Sequence, residues 1–263
     1  MSGEPPVSQP PEPLEPSGPP QPLGRRPESE GEVFWSWADL LLFVGLAIPS
    51  MLIGMALVKG ILWLFHIHPG FRAAVLVPEQ FAGYALMFAA LLAIFRIQYG
   101  RPFWRSLAWV NPRIPPVWIG LAGIATAILV AFASTLIRTP NTTNPMMELL
   151  QNRASVILVA AFGVTLAPIC EELAFRGFLQ PLLVRALGPV AGILAAAVPF
   201  GLLHYSEYGN SWRHVVVISL AGAAFGWMRH ATGSTKASAI MHACYNAFFF
   251  AALLGGAGTV PHR

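Results

Sequence analysis

Long apolar runs that carry almost no charge constrain this chain more than any other feature. The run from 38 to 65 is interrupted only by Asp39, Pro49 and Lys59, so it is longer than the ~20 residues that a helix needs to cross a bilayer. Charged residues make up 11% of the 263 residues, against about 25% in soluble domains. A soluble fold would have to expose these runs to water, and the sequence therefore predicts an integral membrane protein.

Apolar segments recur along the chain after residue 32. We count about seven, with a range of six to eight, and they predict an all-α fold, a polytopic transmembrane helical bundle. Several of the later segments are short or contain glycine and polar side chains, so we expect the bundle to bury them. The segments cover about 38–65, 73–95, 117–137, 155–170, 188–203, 215–228 and 237–254.

The first 32 residues differ in composition from the rest of the chain. They contain ten of the 24 prolines and six Glu against two Arg, and such a segment cannot bury enough apolar surface to offset the entropy lost on ordering. They also lack the basic start and short apolar core of a cleavable signal peptide. We expect a disordered tail at 1–32, N-terminal membrane helices with an interfacial segment at 33–145, a membrane core at 146–255 and a short C-terminal tail at 256–263.

Basic residues indicate the orientation of the bundle. The loop between the second and third segments is the most basic in the chain, and such loops stay in the cytoplasm. This places the N-terminus in the cytoplasm, with Arg176, Arg185, Arg229 and Lys236 at the same end of the bundle. Fourteen of the sixteen basic residues are Arg, which together with the compact size favours a bacterial chain in the inner (plasma) membrane. The residues of the basic loop are Arg96, Arg101, Arg105 and Arg113.

Two further patterns limit the possible partners. The stretch 99–109 (YGRPFWRSLAW) mixes Arg with Trp and Phe, which is typical of an amphipathic segment at the membrane interface. The remaining basic residues lie mainly at the ends of apolar segments, and no base-reading motif occurs, so we predict no nucleic-acid partner. Cys170 and Cys244 lie far apart and lack CxxC spacing, which argues against a disulfide scaffold or a cysteine metal site.

Polar residues interrupt three apolar segments in the second half of the chain. An ionisable side chain at membrane depth costs ~2.5 to 3.5 kcal/mol on insertion scales, so each one requires an explanation. The three stretches are APICEELAFRGFLQ, VPFGLLHY and SAIMHACYNAFFF. The candidate functional residues in them are Glu171, Glu172, Arg176, Phe200, His204, His242 and Asn246.

Helical spacing sorts these residues into pairs. Glu172 and Arg176 are four apart, so they stack on one helix face and can form a salt bridge, whereas Glu171 is rotated by about 100° and remains as the unpaired carboxylate. His242 and Asn246 have the same spacing, and so do Phe200 and His204. Each of three helices therefore presents one polar face.

Together these residue types can hydrolyse an amide bond. A carboxylate and an imidazole from different helices can polarise a water molecule, with the glutamate accepting its proton. A second imidazole and a carboxamide can stabilise the tetrahedral oxyanion, at ~3 to 4 kcal/mol for each donor. This scheme requires no cofactor and no serine or cysteine nucleophile, and Cys170 among apolar neighbours is more typical of packing.

Two other interpretations remain open from the residues alone. Glu171, His204 and His242 would also form an acceptable zinc ligand set of two histidines and one carboxylate, although the HExxH pattern is absent. The chain would then be a zinc metalloprotease with the same residues as ligands. A noncatalytic membrane scaffold or transporter could instead use the polar cluster to bind a ligand or to relay protons.

The three motifs resemble those of a known family. EELAFR fits EExxxR, FGLLH fits FxxxH and HACYN fits HxxxN, in the order seen in the CAAX protease and bacteriocin-processing (CPBP, or ABI) family of membrane proteins, over roughly 150–255. The resemblance implies an intramembrane glutamate-type endopeptidase that hydrolyses a peptide bond near the end of a membrane-associated protein or peptide. The bilayer and such a substrate are the expected partners.

The resemblance also implies a role for each matching position. Glu171 and His204 would activate the water, and His242 and Asn246 would form the oxyanion site. Glu172 and Arg176 would brace the motif helix, and Phe200 completes the FxxxH motif. Prenylated proteins, bacteriocin precursors and proteins with C-terminal sorting signals, as for the myxosortases, are all possible substrates within this group.

Overall fold

The computed structural model describes residues 33–140, 145–150 and 152–256, and it is all-helical over these ranges. The predictions for the tail at 1–32 and for residues 257–263 lie outside the described residues. The α-helices are α1 (Trp37–Leu64), α2 (Ala73–Ala93), α3 (Phe103–Ser106), α4 (Pro116–Leu136), α5 (Pro145–Leu149), α6 (Arg153–Val164), α7 (Leu166–Glu172), α8 (Gln180–Leu187), α9 (Pro189–Leu203), α10 (Trp212–Thr232) and α11 (Thr235–Gly256). Two π-helical segments, Ile94–Gln98 and Leu173–Leu179, continue α2 and α7 without a break.

Within the described ranges, six helical stretches are long and apolar enough to cross a bilayer, and α9 is a seventh, shorter apolar helix. The polytopic helical bundle predicted from the sequence is therefore confirmed. Much of its surface is apolar, as in Leu41 and Ile48, each 71% exposed, because in a membrane such side chains face lipid.

The fourth segment was predicted too short. It does not end at Cys170 but continues as one stretch over Arg153–Leu187. The charges of the EExxxR motif interrupt the apolar pattern in the sequence, but Glu172 and Arg176 are paired inside the bundle, and the helix does not end at the motif. The motif therefore lies in the middle of a membrane segment rather than at its end.

Asp39, which interrupts the first apolar run, belongs to a capping box. The Ser36 hydroxyl accepts a hydrogen bond from the Asp39 backbone N–H, and the Asp39 carboxylate accepts one from the Ser36 backbone N–H at 2.8 Å. Tyr99 donates to the same carboxylate at 2.6 Å. These bonds satisfy backbone groups that a helix start leaves open, and they tie the start of α1 to the end of α2.

In the part of the chain that the structure describes, two apolar cores hold the bundle together. The first joins α1, α2 and α3 to the stretch formed by α7, the following π-helical segment and α8 (166–187), which we call the motif helix. Its centre is formed by Phe95 and Phe178, which are both fully buried. The second joins α4, α9, α10 and α11 around Phe200 and Phe225. Helices α1 and α2 also approach closely at Gly54, where a Cβ atom would lie 2.5 Å from the Gly83 nitrogen, as small residues allow in membrane helix pairs.

The loops lie at the two ends of the bundle, and polar contacts show which loops share an end. At one end, which we call the basic end, Lys236 donates to the Asn111 side chain at 2.8 Å and Arg185 donates to the Val33 carbonyl at 2.8 Å. At the opposite end, Arg213 donates to the Arg138 carbonyl at 2.8 Å. The basic end thus gathers the loop 99–115, the end of α8 and the α10–α11 turn, as the sequence predicted. Arg176, which the sequence placed at the same end, is instead buried inside the bundle, where it binds Glu172 and the Gly222 carbonyl.

The segment predicted to be interfacial is attached to the core. Phe103 and Leu107 are buried in the first core, whereas Trp104 is 54% exposed. The Thr235 hydroxyl donates to the Leu107 carbonyl at 2.6 Å. This segment therefore packs against the start of α11 and exposes Trp104.

Candidate active site

Glu172 is a buried carboxylate of the motif helix with several hydrogen-bond partners. Its carboxylate is fully buried and accepts hydrogen bonds from Arg176 at 2.9 Å, from the Ser238 hydroxyl and from His242 Nδ1 at 3.0 Å. The predicted Glu172–Arg176 salt bridge is present. A buried carboxylate is stable only when it is paired and hydrogen-bonded in this way, so Glu172 joins the motif helix to α11.

Arg176 extends this network to two more helices. It donates to the Gly222 carbonyl of α10 at 2.7 Å, and its guanidinium lies over the Phe200 ring of α9 at 4.3 Å from the ring centre. A Cβ atom on Gly222 would lie 2.9 Å from the Phe200 ring and 3.1 Å from Arg176. Glycine at 222 thus permits the close approach of these groups.

The π-helical segment sets the register of these contacts. It begins directly after Glu172 and contains Arg176. Just beyond it, Gln180 donates to the Gly226 carbonyl at 2.9 Å. Arg176 and Gln180 therefore bind carbonyls that are four residues apart on α10. Single π-helical turns of this kind are frequent at functional sites.

His242 lies between the two glutamates. Its Nδ1 faces Glu172, and its Nε2 lies 3.9 Å from the Glu171 carboxylate. Its ring stacks on Phe225 with 4.5 Å between ring centres. Because a carboxylate only accepts hydrogen bonds, Nδ1 carries the proton that binds Glu172. His242 can then donate through Nε2 only as the doubly protonated imidazolium.

Glu171 differs from its neighbour in the chain. Its side chain is 19% exposed, against 0% for Glu172, and the structure gives it no hydrogen bond to any described residue. The sequence predicted this division between a paired and an unpaired carboxylate. It did not predict that both carboxylates would flank the same imidazole.

His204 ends α9 and lies next to Phe200. Its Nδ1 is 2.9 Å from the Phe200 carbonyl, and the two rings are 5.1 Å apart. A carbonyl only accepts hydrogen bonds, so Nδ1 carries the proton, and Nε2 of the neutral ring has a free lone pair. His204 in this tautomer can accept a proton or orient a water molecule.

Asn246 lies one turn beyond His242 on α11. Its amide donates to the Gly163 carbonyl at 2.7 Å, close to the break between α6 and α7. One N–H and the carbonyl oxygen of the carboxamide remain for other partners. The structure thus brings five of the predicted residues into contact: Glu171, Glu172, Arg176, Phe200 and His242. His204 joins this group through its contact with Phe200. Asn246 is held by its hydrogen bond to Gly163.

Glu207 is a residue that sequence reasoning did not select for the site. Burial raises its pKa, the nearby charge of Glu171 adds to this effect, and His204 opposes it. Burial also raises the pKa of Tyr208 to about 12. Glu207 is therefore within electrostatic range of both Glu171 and His204. Its position one turn after His204 was the only sequence signal.

Metal ligation was one of the alternatives raised by the sequence. Across the described ranges, no three His, Cys, Asp or Glu side chains are arranged so that they could hold a metal ion. Glu171 and His242 do approach one another, but His204 contacts neither of them directly. Cys170 and Cys244 are both free thiols.

The fold and the site together define a polytopic integral membrane protein with a cluster of carboxylate, imidazole and amide side chains in its core, a class that includes intramembrane proteases. Residues 153–248 match the family model described as Rce1-like, the type II CAAX prenyl endopeptidase Rce1-like family. This stretch contains all seven candidate residues, so the resemblance to the CAAX protease family drawn from the three motifs is confirmed over residues 153–248. The match indicates a peptidase of the CAAX protease type.

No curated protein matches the chain, and no solved structure matches it. The 33–145 region lies outside the family match.

Proposed function

We propose that this protein is an intramembrane glutamate-type endopeptidase, in which Glu171 and His204 activate the water that attacks a peptide bond. The observation that carries this proposal is the contrast between the two adjacent glutamates. Three side chains bind the Glu172 carboxylate, whereas Glu171 is partly exposed and lies opposite the Nε2 atom of His242. Glu171 is thus available to accept a proton.

The first step is the attack of water on the scissile carbonyl carbon. Glu171 takes one proton from the water, His204 Nε2 orients that water, and the oxygen forms the new C–O bond. The π electrons of the carbonyl move onto its oxygen. In the second step the C–N bond breaks, and the departing nitrogen receives the proton that Glu171 had accepted.

In this mechanism His242 and Asn246 donate hydrogen bonds to the oxyanion. His242 donates from Nε2 as an imidazolium, since its Nδ1 proton is bound by Glu172. Asn246 contributes the N–H that Gly163 does not bind. Donors of this kind act most strongly in a site from which water is largely excluded.

The substrate in this proposal is a membrane-associated protein or peptide with a scissile bond near one of its ends. Prenylated proteins, bacteriocin precursors and C-terminal sorting signals all present such an end. We also place the basic end of the bundle in the cytoplasm of a bacterial cell, in accordance with the positive-inside rule.

Mass spectrometry of membrane-protein termini tests this function. Cells that express the wild type would be compared with cells that express Glu171→Gln or His204→Ala, each with and without a chelator. Glu148→Gln is the matched control, because Glu148 is an exposed carboxylate in an ion pair with Arg72. We expect the same uncleaved precursor to accumulate in both site variants and not in the control.

The alternatives predict different outcomes. A zinc metalloprotease would lose the cleaved terminus when the chelator is added to the wild type, whereas the glutamate-type enzyme would retain it. A scaffold or transporter would give the same termini in all strains. Either of these results would overturn the proposed mechanism.

A further inference from the structure

Ser238 lies on α11, one turn before His242 and outside the three sequence motifs. It is fully buried, so its hydroxyl bonds to groups inside the bundle. The hydroxyl oxygen is within hydrogen-bonding distance of two acceptors, the Glu172 carboxylate and the Phe225 carbonyl, the latter at 2.9 Å. A serine hydroxyl has one proton to donate, and an ionised carboxylate is the stronger acceptor. Ser238 therefore donates to Glu172.

The donors to Glu172 are divided unequally between its two carboxylate oxygens. Oε1 accepts from Arg176 at 2.9 Å and from His242 Nδ1 at 3.0 Å, whereas Oε2 accepts from Ser238. No other described residue donates to Oε2. The last side-chain torsion of a glutamate is broad, so bonds to both oxygens are needed to fix the plane of the carboxylate. Without Ser238, Oε2 would be a buried oxygen without a donor, and the carboxylate would be free to turn.

The ring of His242 is held by two contacts with different effects. It stacks on Phe225 with 4.5 Å between ring centres and 19° between the planes, and this contact fixes the plane of the ring. A turn of 180° about the bond to the ring keeps the same plane but exchanges each nitrogen with a carbon. The bond from Nδ1 to Glu172 therefore selects the orientation in which Nε2 lies 3.9 Å from the Glu171 carboxylate.

We propose that Ser238 is a positioning residue for His242. Its hydroxyl fixes the plane of the Glu172 carboxylate, and Glu172 in turn holds His242 Nδ1. Nε2 is thereby directed to the side of Glu171, where it donates to the oxyanion. This inference rests on the proposed function, in which His242 is an oxyanion donor. Ser238 acts through Glu172 and needs no contact with the substrate.

Ser238→Ala tests this role in the purified full-length protein, with the precursor whose cleavage depends on Glu171. The variant keeps His242 and only releases its orientation. We therefore expect kcat to fall about 10-fold with KM unchanged, less than the ~10² to 10³-fold typical for loss of an oxyanion donor. Ser155→Ala is the matched control and should keep the wild-type kcat, because Ser155 is also a buried serine but lies at the start of α6.

A spectroscopic readout separates positioning from a structural effect. In protein labelled with ¹⁵N-histidine in lipid nanodiscs, the His242 Nδ1 signal reports the hydrogen bond to Glu172, and its absence from His242→Gln assigns it. We expect Ser238→Ala to shift or split this signal, because the ring then adopts both orientations. Ser155→Ala should leave the signal unchanged. A serine that only supports packing would lower Tm without moving the signal.

Ser238→Cys covers the case in which Ser238→Ala fails to fold. The thiol fills the position of the hydroxyl but is a weak donor. Both kcat and the His242 signal should then change in the same direction as in Ser238→Ala, by a smaller amount. An unchanged kcat in a folded variant, or a lower kcat with an unchanged His242 signal, overturns the inference.

Failure of this inference and failure of the proposed function give different results. Wild-type kcat in Ser238→Ala together with an inactive Glu171→Gln would refute the role of Ser238 alone. Full activity of Glu171→Gln, or the absence of any Glu171-dependent precursor, would refute the proposed function and the role of Ser238 with it.

Discussion

Glu171 and Glu172 are adjacent in the chain but have different physical roles. Glu172 neutralises Arg176, whose side chain is 1% exposed, and removal of one member of a buried ion pair typically costs ~3 to 5 kcal/mol. We therefore expect Glu172→Leu to lower the free energy of unfolding by about this amount. Glu171→Gln, at a partly exposed carboxylate without a hydrogen bond, should cost ~1 kcal/mol or less.

Thermal unfolding in detergent measures the difference between these two variants. The double variant Glu172→Leu with Arg176→Met should recover much of the stability, because apolar residues often replace a buried ion pair without loss. It should not recover activity, since His242 Nδ1 would have lost its acceptor. Equal stability of Glu172→Leu and Glu171→Gln would contradict this assignment.

Glu207 gives a pH dependence with a defined sign. Burial holds its pKa above the ordinary value of 4.5, so the folded protein keeps this proton to a higher pH than the unfolded chain does. The contribution of Glu207 to stability is therefore greatest at low pH and declines as the pH rises through the folded-state pKa. Glu207→Gln should remove this decline.

Tm measured at several pH values above about 4.5 tests this expectation. The profile of Glu207→Gln should fall less steeply with pH than that of the wild type. Glu148→Gln is the control, and it should leave the slope unchanged, because Glu148 is exposed. Coincident slopes for the wild type and Glu207→Gln would show that burial of Glu207 has no energetic consequence.

At the scale of the elements, the absence of a side chain at Gly222 allows α9, α10 and the motif helix to pack closely. A methyl group at this position would lie 2.9 Å from Phe200 and 3.1 Å from Arg176. Overpacking of this kind typically costs ~1 to 3 kcal/mol. We expect Gly222→Ala to lower Tm and to reduce kcat, because Arg176 and Phe200 must both shift.

Gly45→Ala is the matched control for Gly222→Ala. A Cβ atom on Gly45 would have no neighbour within 4 Å, and alanine is the better helix former. This variant should therefore be neutral or slightly stabilising. If Gly222→Ala behaved in the same way, the close packing around Arg176 would not be needed for the site.

The elements also show what could be predicted from the sequence. Apolar length was sufficient for α1, α2 and α4, because a bilayer imposes a minimum length on each span. Apolar length failed for the fourth segment, because charged residues such as Glu171, Glu172 and Arg176 are typical of a loop. Their partners inside the bundle are not visible in the sequence. The π-helical turn has no local signature, since it depends on contacts with α10.

The same limit applies to the candidate site. Spacing of four residues was sufficient to pair Glu172 with Arg176, because both lie on one helix. Ser238 escaped notice because it meets the motif helix from α11. A hydroxyl donor on a distant helix leaves no pattern in the sequence.

At the scale of the whole molecule, the orientation of the bundle determines which proteins can reach the site. The loop that begins with His204 lies at the end opposite to the basic end, where Arg213 meets Arg138. If the basic end is cytoplasmic, this loop faces the other side of the membrane. Single cysteines in a background of Cys170→Ala and Cys244→Ala test this orientation.

Asn111→Cys labels the basic end, and Ser206→Cys labels the loop after α9. We expect an impermeant maleimide added to intact cells to modify Ser206→Cys and to spare Asn111→Cys until the membrane is opened. The reverse pattern would show that the basic end is external. It would also place the loop after α9 in the cytoplasm.

The central claim is that Glu171 activates water without a metal. The most direct test is the turnover of the identified precursor by purified protein in lipid nanodiscs that has been treated with a chelator. The wild type should keep its full rate, and Glu171→Gln should be slower by at least about 10²-fold, the lower range for loss of a general base. Loss of wild-type activity on chelation, or undiminished activity of Glu171→Gln, would contradict the account.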